Sequence, residues 1–229
     1  MTTLTADEVR SRNIAGMGND LGELFTALAD DLTFLFWQWQ SFSELYHDKK
    51  TRFEIMNRAA PFFFWVLQRS WWDEALLSVT RLVAPPQSMG QPNLTFRRLP
   101  AAITDPHFSA EIADAVSSVV GKAEFAKTWR NKRIAHRDLD VALKRAQPLP
   151  PAKWGEVDVV LHDLVDILNR IQMRYLNGTT MYARAPIVHG SKDLLYLLRE
   201  GLRRDEVRQQ KLEKGEYQNE DWDDDAPPI

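Results

Sequence analysis

One stretch restricts the fold of this chain more than any other. Over residues 20–46, Leu21, Leu24, Phe25, Leu28, Leu32, Leu35, Trp39, Phe42 and Leu45 recur at steps of three and four. A strand alternates its side chains between two faces, so this spacing fits a helix with one long apolar face. Such a face is stable only when covered by other elements. The rest of the chain shows no internal repeat and no convincing strand alternation, so the covering elements must themselves be helices.

The other segments agree. Residues 51–83 read as a second long helical stretch, bent or restarted at Pro61, because proline breaks the interior bonding pattern. Its middle, Phe62-Phe63-Phe64-Trp65 through Trp71-Trp72, is apolar almost all the way round, as in a helix at the centre of a bundle or at a subunit contact. Pro85, Pro86 and Pro92 mark a loop, followed by a short element around Phe96 and Ile103. Asp105-Pro106 has the form of a cap followed by proline at the first helical position. The helix it starts would pass through Val116, Val119 and Phe125, with an interruption at Gly121. Pro148, Pro150 and Pro151 separate it from an amphipathic helix over 154–176. After an irregular stretch, Ser191 stands as the cap of a last helix carrying Leu194, Leu195, Leu197, Leu198 and Leu202. The expected fold is all-α, about four long antiparallel helices plus short extra helices. It divides into an N-terminal segment 1–18, a helical domain 19–215 and an acidic, disordered tail 216–229.

Composition narrows the chemistry. A hydrophobic content of 44% with eight tryptophans is ample for a core. The absence of cysteine removes disulfides and thiolate catalysis and suits a reducing cytosol. The start of the chain lacks a signal-peptide pattern, and the longest apolar run, 59–67, is too short to span a bilayer. A soluble cytoplasmic protein without a membrane partner is expected. The net charge of −3 hides an asymmetry. Residues 122–147 hold eight Lys/Arg against three Asp/Glu, and 216–229 hold six acids and no base. A basic segment draws in polyanions, and an acidic tail can compete for the same surface.

Inside the basic segment lies Arg130-Asn131-Lys132-Arg133-Ile134-Ala135-His136-Arg137-Asp138. Metal-free phosphodiester cleavage needs a base of near-neutral pKa beside fixed positive charge, and this stretch supplies both. An arginine shortly before a histidine means little alone: Arg184 precedes His189 with four residues between, beside Pro186 and with no polar residue after the arginine. Cations near a helix C-terminus are also favoured by the macrodipole without any catalytic role. The Arg130 pair differs in its context, with an amide next to the arginine, extra cations and a nearby carboxylate.

These nine residues resemble the signature of HEPN domains: an arginine, a polar residue, and a histidine four to six positions on. The wording around the motif and the tryptophan-rich helix before it resemble the AbiU-type abortive-infection branch. The resemblance implies a HEPN-like helical bundle, a homodimer, and a metal-independent endoribonuclease of antiphage or toxin–antitoxin systems, with RNA as substrate and an antitoxin as partner. It requires no cofactor. Arg130, Asn131 and His136 match the catalytic positions, and Lys132, Arg133 and Arg137 would hold RNA phosphates. Some HEPN toxins carry a modifiable tyrosine two residues after the histidine; here that position is Asp138. Geometry adds a constraint, since residues six apart on an ideal helix stand about 120° apart around the axis and about 9 Å along it. Arg130 and His136 therefore do not readily grip one phosphate from a single straight helix: either the helix ends between them or a second copy of the chain completes the site, and both readings favour a symmetric dimer. The alternatives are a non-catalytic HEPN-like module that binds nucleotides or RNA, and a helical adaptor.

Two further clusters call for weighing. Asp158, His162 and Asp166 form a stripe at metal-ligand spacing, but Val157, Val160, Leu161, Leu164, Leu168 and Ile171 claim the opposite face, so the stripe reads as solvated. Arg69 and Asp73 make a polar pair on the aromatic helix that needs a partner there, either as a structural ion pair or as support beside the motif.

Overall fold

The computed structural model of the chain describes residues 4–47, 50–134, 139–143, 145, 147–182 and 189–216. Among these residues are ten α-helices and one antiparallel ladder of two residues per strand. The fold is all-α, as the periodicity requires. No helix of the described residues is long and apolar enough to cross a membrane. The chain forms two compact units, one from 1–40 with 69–186, the other from 41–68 with 187–229.

The larger unit begins with α1 (Ala6–Met17), whose start is fixed by a capping box between Thr5 and Glu8. α1 then lies against α2 (Asn19–Tyr46). Asn13 Nδ2 donates to Thr26 Oγ1 at 3.0 Å, and Thr26 Oγ1 donates to the Gly22 carbonyl at 2.7 Å. A Cβ on Gly22 would stand 2.6 Å from Ile14 Cα and 2.9 Å from the Asn13 carbonyl, so glycine is what allows the approach. Leu21, Phe25, Leu28, Leu32, Leu35 and Trp39 of α2 are buried, the face the sequence pattern marks out.

The centre of this unit is α9 (Trp154–Leu176), with Val157, Val160, Leu161, Leu164, Ile167, Leu168 and Ile171 all at 0% exposure. Burying one such side chain is worth about 1.5–3 kcal/mol. α6 (Pro106–Lys122) packs along α9 and buries Ile112, Val116 and Val119. Asp105 caps α6 by accepting from the His107 and Phe108 amides, with Pro106 in the first turn. Between α4 (Pro61–Leu82) and α6 lie the ladder of β1 (Gln87–Ser88) and β2 (Gln91–Pro92), a 3-10 turn Phe96–Arg98 and α5 (Leu99–Ala102).

In the smaller unit, α3 (Lys50–Ala59) packs on α10 (Ser191–Lys214). A single residue separates α3 from α4, so the chain does restart at Pro61. Tyr46 donates its hydroxyl to the Phe64 carbonyl at 2.9 Å, and Arg58 pairs with Glu206 at 2.7 Å. Two expectations need correction here. Only Phe64 of the aromatic run is buried; Phe62, Phe63 and Trp65 are 75%, 58% and 56% exposed. The run is therefore not at the centre of a bundle. An all-round apolar helix has more faces than its neighbours cover, and only the side that holds Phe64 is covered. Ser191 is not the cap of α10 either: Gly190 stands at that position without a side-chain bond, and Ser191 is buried inside the first turn.

Candidate active site

The helix that leads to the motif is interrupted at Ala123, two residues after the glycine expected to break it. There α6 gives way to α7 (Glu124–Trp129). The turn that follows, Arg130–Ile134, is π-helical and buries no residue. At the junction the Arg130 amide is shared between the Ala126 and Lys127 carbonyls, four and three residues back. π-turns within helices are uncommon and concentrate at functional sites, because they turn side chains away from the regular helical bearing.

Arg130 and Asn131 are joined through their side chains. Arg130 Nε and Nη2 both donate to Asn131 Oδ1, at 2.9 and 2.7 Å. The amide oxygen is thus committed to the guanidinium, which leaves the Asn131 NH2 group as the part able to donate to a phosphate oxygen. Arg133 takes a different position: its guanidinium lies over the Trp129 ring, 4.8 Å from the centroid. Trp129 Nε1 in turn donates to the Pro150 carbonyl at 2.8 Å, which ties the proline-rich connection to the turn.

Asp73 of α4 belongs to the same neighbourhood. Burial pushes its carboxyl above the ordinary range, while the positive charges of Arg133 and Arg69 pull it back. The Asp73 carboxyl therefore feels the charges of both Arg69 and Arg133. Two of the eight cations of the basic segment are engaged elsewhere, Lys122 with Asp163 at 2.6 Å and Lys127 with Glu124 at 3.0 Å. Of the other described cations of the segment, Arg130, Lys132 and Arg133 lie on the turn, where Lys132 and Arg133 are exposed, and Arg145 lies beyond it, also exposed. His136, Arg137 and Asp138 lie outside the described residues, as do Arg184 and the tail beyond Glu216.

The stripe on α9 has structural partners. Asp158 Oδ1 accepts from Trp39 Nε1 at 3.2 Å, and His162 Nδ1 lies 2.7 Å from the Asp158 carbonyl. Asp166 pairs with Arg170 at 2.7 Å, and Arg170 also reaches Glu111 at 3.2 Å. Trp39 stacks on Trp154 with ring centroids 4.1 Å apart. Sequence reasoning missed Trp129 by grouping it with the core tryptophans. Its signal was the four-residue step to Arg133, which sets two side chains one above the other on a helix.

The family model HEPN_AbiU2, described as AbiU2, matches residues 18–194. The chain belongs to the HEPN superfamily, in its AbiU2 family. The match runs from α2 to the first turn of α10 and contains the whole motif. No curated protein and no solved structure matches the chain.

Proposed function

We propose that the protein is a metal-independent endoribonuclease that acts in antiphage abortive infection or toxin–antitoxin growth arrest. The observation that carries this reading is the π-turn over Arg130–Ile134, in which a guanidinium and an amide are locked together in a chain of the AbiU2 family. In this mechanism His136 removes the proton from an RNA 2′-hydroxyl, whose oxygen then attacks the adjacent phosphorus. The P–O5′ bond breaks, the leaving oxygen takes up a proton, and the products are a 2′,3′-cyclic phosphate and a 5′-hydroxyl. Arg130 stabilises the charge that accumulates on the phosphorane, and the Asn131 NH2 group orients it.

The working form is a homodimer in the cytoplasm, with motifs from two chains meeting at one phosphate and an antitoxin protein as the silencing partner. The exposed rings of Phe62, Phe63 and Trp65 support self-association, since apolar surface of this kind on a protein marks a contact site. Incubation with single-stranded RNA in EDTA tests the activity. Cleavage should survive chelation and fall about 10²–10⁴-fold in His136→Ala, the range of a lost general base. Wild-type cleavage by that variant would overturn the reading. Salt-sensitive RNA binding without cleavage would point to a binding module instead.

A further inference from the structure

We propose that Trp129 and Asp73 are positioning residues that hold Arg133 as a latch on the motif turn, so that Arg130 alone of the two arginines faces the scissile phosphate. This inference rests on the ribonuclease reading and gives that site an internal division of labour.

The geometry separates the two arginines. The Arg130 guanidinium is bonded sideways to its neighbour Asn131 and belongs to the turn itself. The Arg133 guanidinium is laid over an indole whose own orientation is fixed by the bond from Nε1 to the Pro150 carbonyl. A planar guanidinium stacks on an aromatic face in a way that an ammonium does not, so the site favours arginine over lysine. Trp129 and Arg133 bracket Arg130, Asn131 and Lys132, so the stack ties together the two ends of the segment that carries the chemistry. Asp73 adds charge to this geometry. A half-buried carboxylate needs a counter-charge, and Arg133 and Arg69 are the cations that act on it. A turn that buries no residue has no packing of its own to fix it. The stack and the Asp73 charge take over that role.

Two arginines in one motif are open to two readings. If Arg133 were a phosphate ligand, its loss would weaken RNA binding and lower the salt slope of binding by about one. If it is a latch, its loss displaces Arg130 and Asn131 and leaves the number of phosphate contacts unchanged.

The test compares wild type, Arg133→Ala, Asp73→Asn, Trp129→Leu, Trp129→Phe and the Asp73→Asn/Arg133→Ala double variant. Each is measured for kcat, KM and the salt dependence of binding to single-stranded RNA in EDTA, and for unfolding by denaturant. Arg133→Ala and Trp129→Leu should lower kcat by roughly tenfold to a hundredfold, the cost of a displaced catalytic group, with KM and salt slope unchanged. Trp129→Phe keeps a ring face under the guanidinium and should stay within a few-fold of wild type. The double variant should be no slower than the slower of its single variants. In unfolding, Arg133→Ala should destabilise the wild type more than it destabilises the Asp73→Asn background. A raised KM with a salt slope reduced by about one in Arg133→Ala, or additive effects in the unfolding cycle, would overturn the latch. If the wild type cleaves no RNA, the ribonuclease reading fails by itself, and the unfolding cycle still decides whether Asp73 and Arg133 are coupled.

Discussion

Two helical regions of this molecule are built on opposite plans. α9 buries seven side chains completely, and Asp158, His162 and Asp166 line its more exposed side in hydrogen bonds and ion pairs. The turn Arg130–Ile134 buries none, and what is seen to hold it is a guanidinium–amide pair, a stacked indole and the charge of Asp73. The first region is held by the hydrophobic effect, which is insensitive to direction. The second depends on bonds with strict geometry. Stability and chemistry are therefore expected to respond to different substitutions.

The largest effect should come from the buried side. Leu164→Ala removes a fully buried side chain and should cost about 2–5 kcal/mol in denaturant unfolding, while RNA cleavage per folded molecule stays unchanged. Arg130→Ala is the converse experiment. It should slow cleavage about 10²–10³-fold, as does loss of a donor to a developing anion, and shift unfolding by less than about 0.5 kcal/mol. If Arg130→Ala unfolds the protein, or Leu164→Ala abolishes the chemistry of the folded fraction, the contrast between the two regions collapses. Gly22→Ala tests the backbone rather than the core: the added methyl meets Ile14 and Asn13, and a loss of about 1–3 kcal/mol is expected. Trp39→Phe removes the donor to Asp158 and should cost about 1 kcal/mol, with no effect on cleavage.

The smallest effect is a difference of sign with pH. Asp105 is held below the ordinary carboxylate range, chiefly by the Phe108 amide, with the His107 amide and Arg174 adding to it. The stability it lends is present above the unfolded value of about 3.9 and is lost as the pH falls through the lowered folded value. Asp73 is shifted the other way, chiefly by burial, so its contribution weakens as the pH rises from the unfolded value through the raised folded one. Asp105→Asn should flatten the acid limb of the stability curve, and Asp73→Asn should raise stability relative to wild type at neutral pH. Calorimetry between pH 3 and 7 would separate the two, and equal slopes would refute the assignment.

How much of this was legible follows from what each element depends on. α9 was readable with its ends because a run of apolar residues at helical spacing between Pro151 and Asn177-Gly178 leaves little choice. The cap at Asp105-Pro106 was readable for a similar local reason. The exposure of Phe62, Phe63 and Trp65 was not, since apolar character states that a face needs cover and says nothing of which chain supplies it. Ser191 misled because a good capping residue beside a helix start is still one position away from the cap. At the motif, the residue types were visible and their division was not. Arg130 and Arg133 are the same letter, and only the indole beneath one and the amide beside the other distinguish them.

The widened turn has a consequence for how this motif tolerates change in length. A turn closed by bonds to the fifth residue holds one residue more than an α turn. Deleting any one residue of Arg130–Ile134 would let the regular ladder close, and each residue of that ladder accounts for about 100° of rotation. Because the wide turn takes up its extra residue within its own width, the deletion would shift the groups inside the turn relative to one another, with every chemical group except one still in its written order. The motif thus carries a phase as well as a spelling, and a one-residue deletion should erase its activity more completely than many substitutions within it.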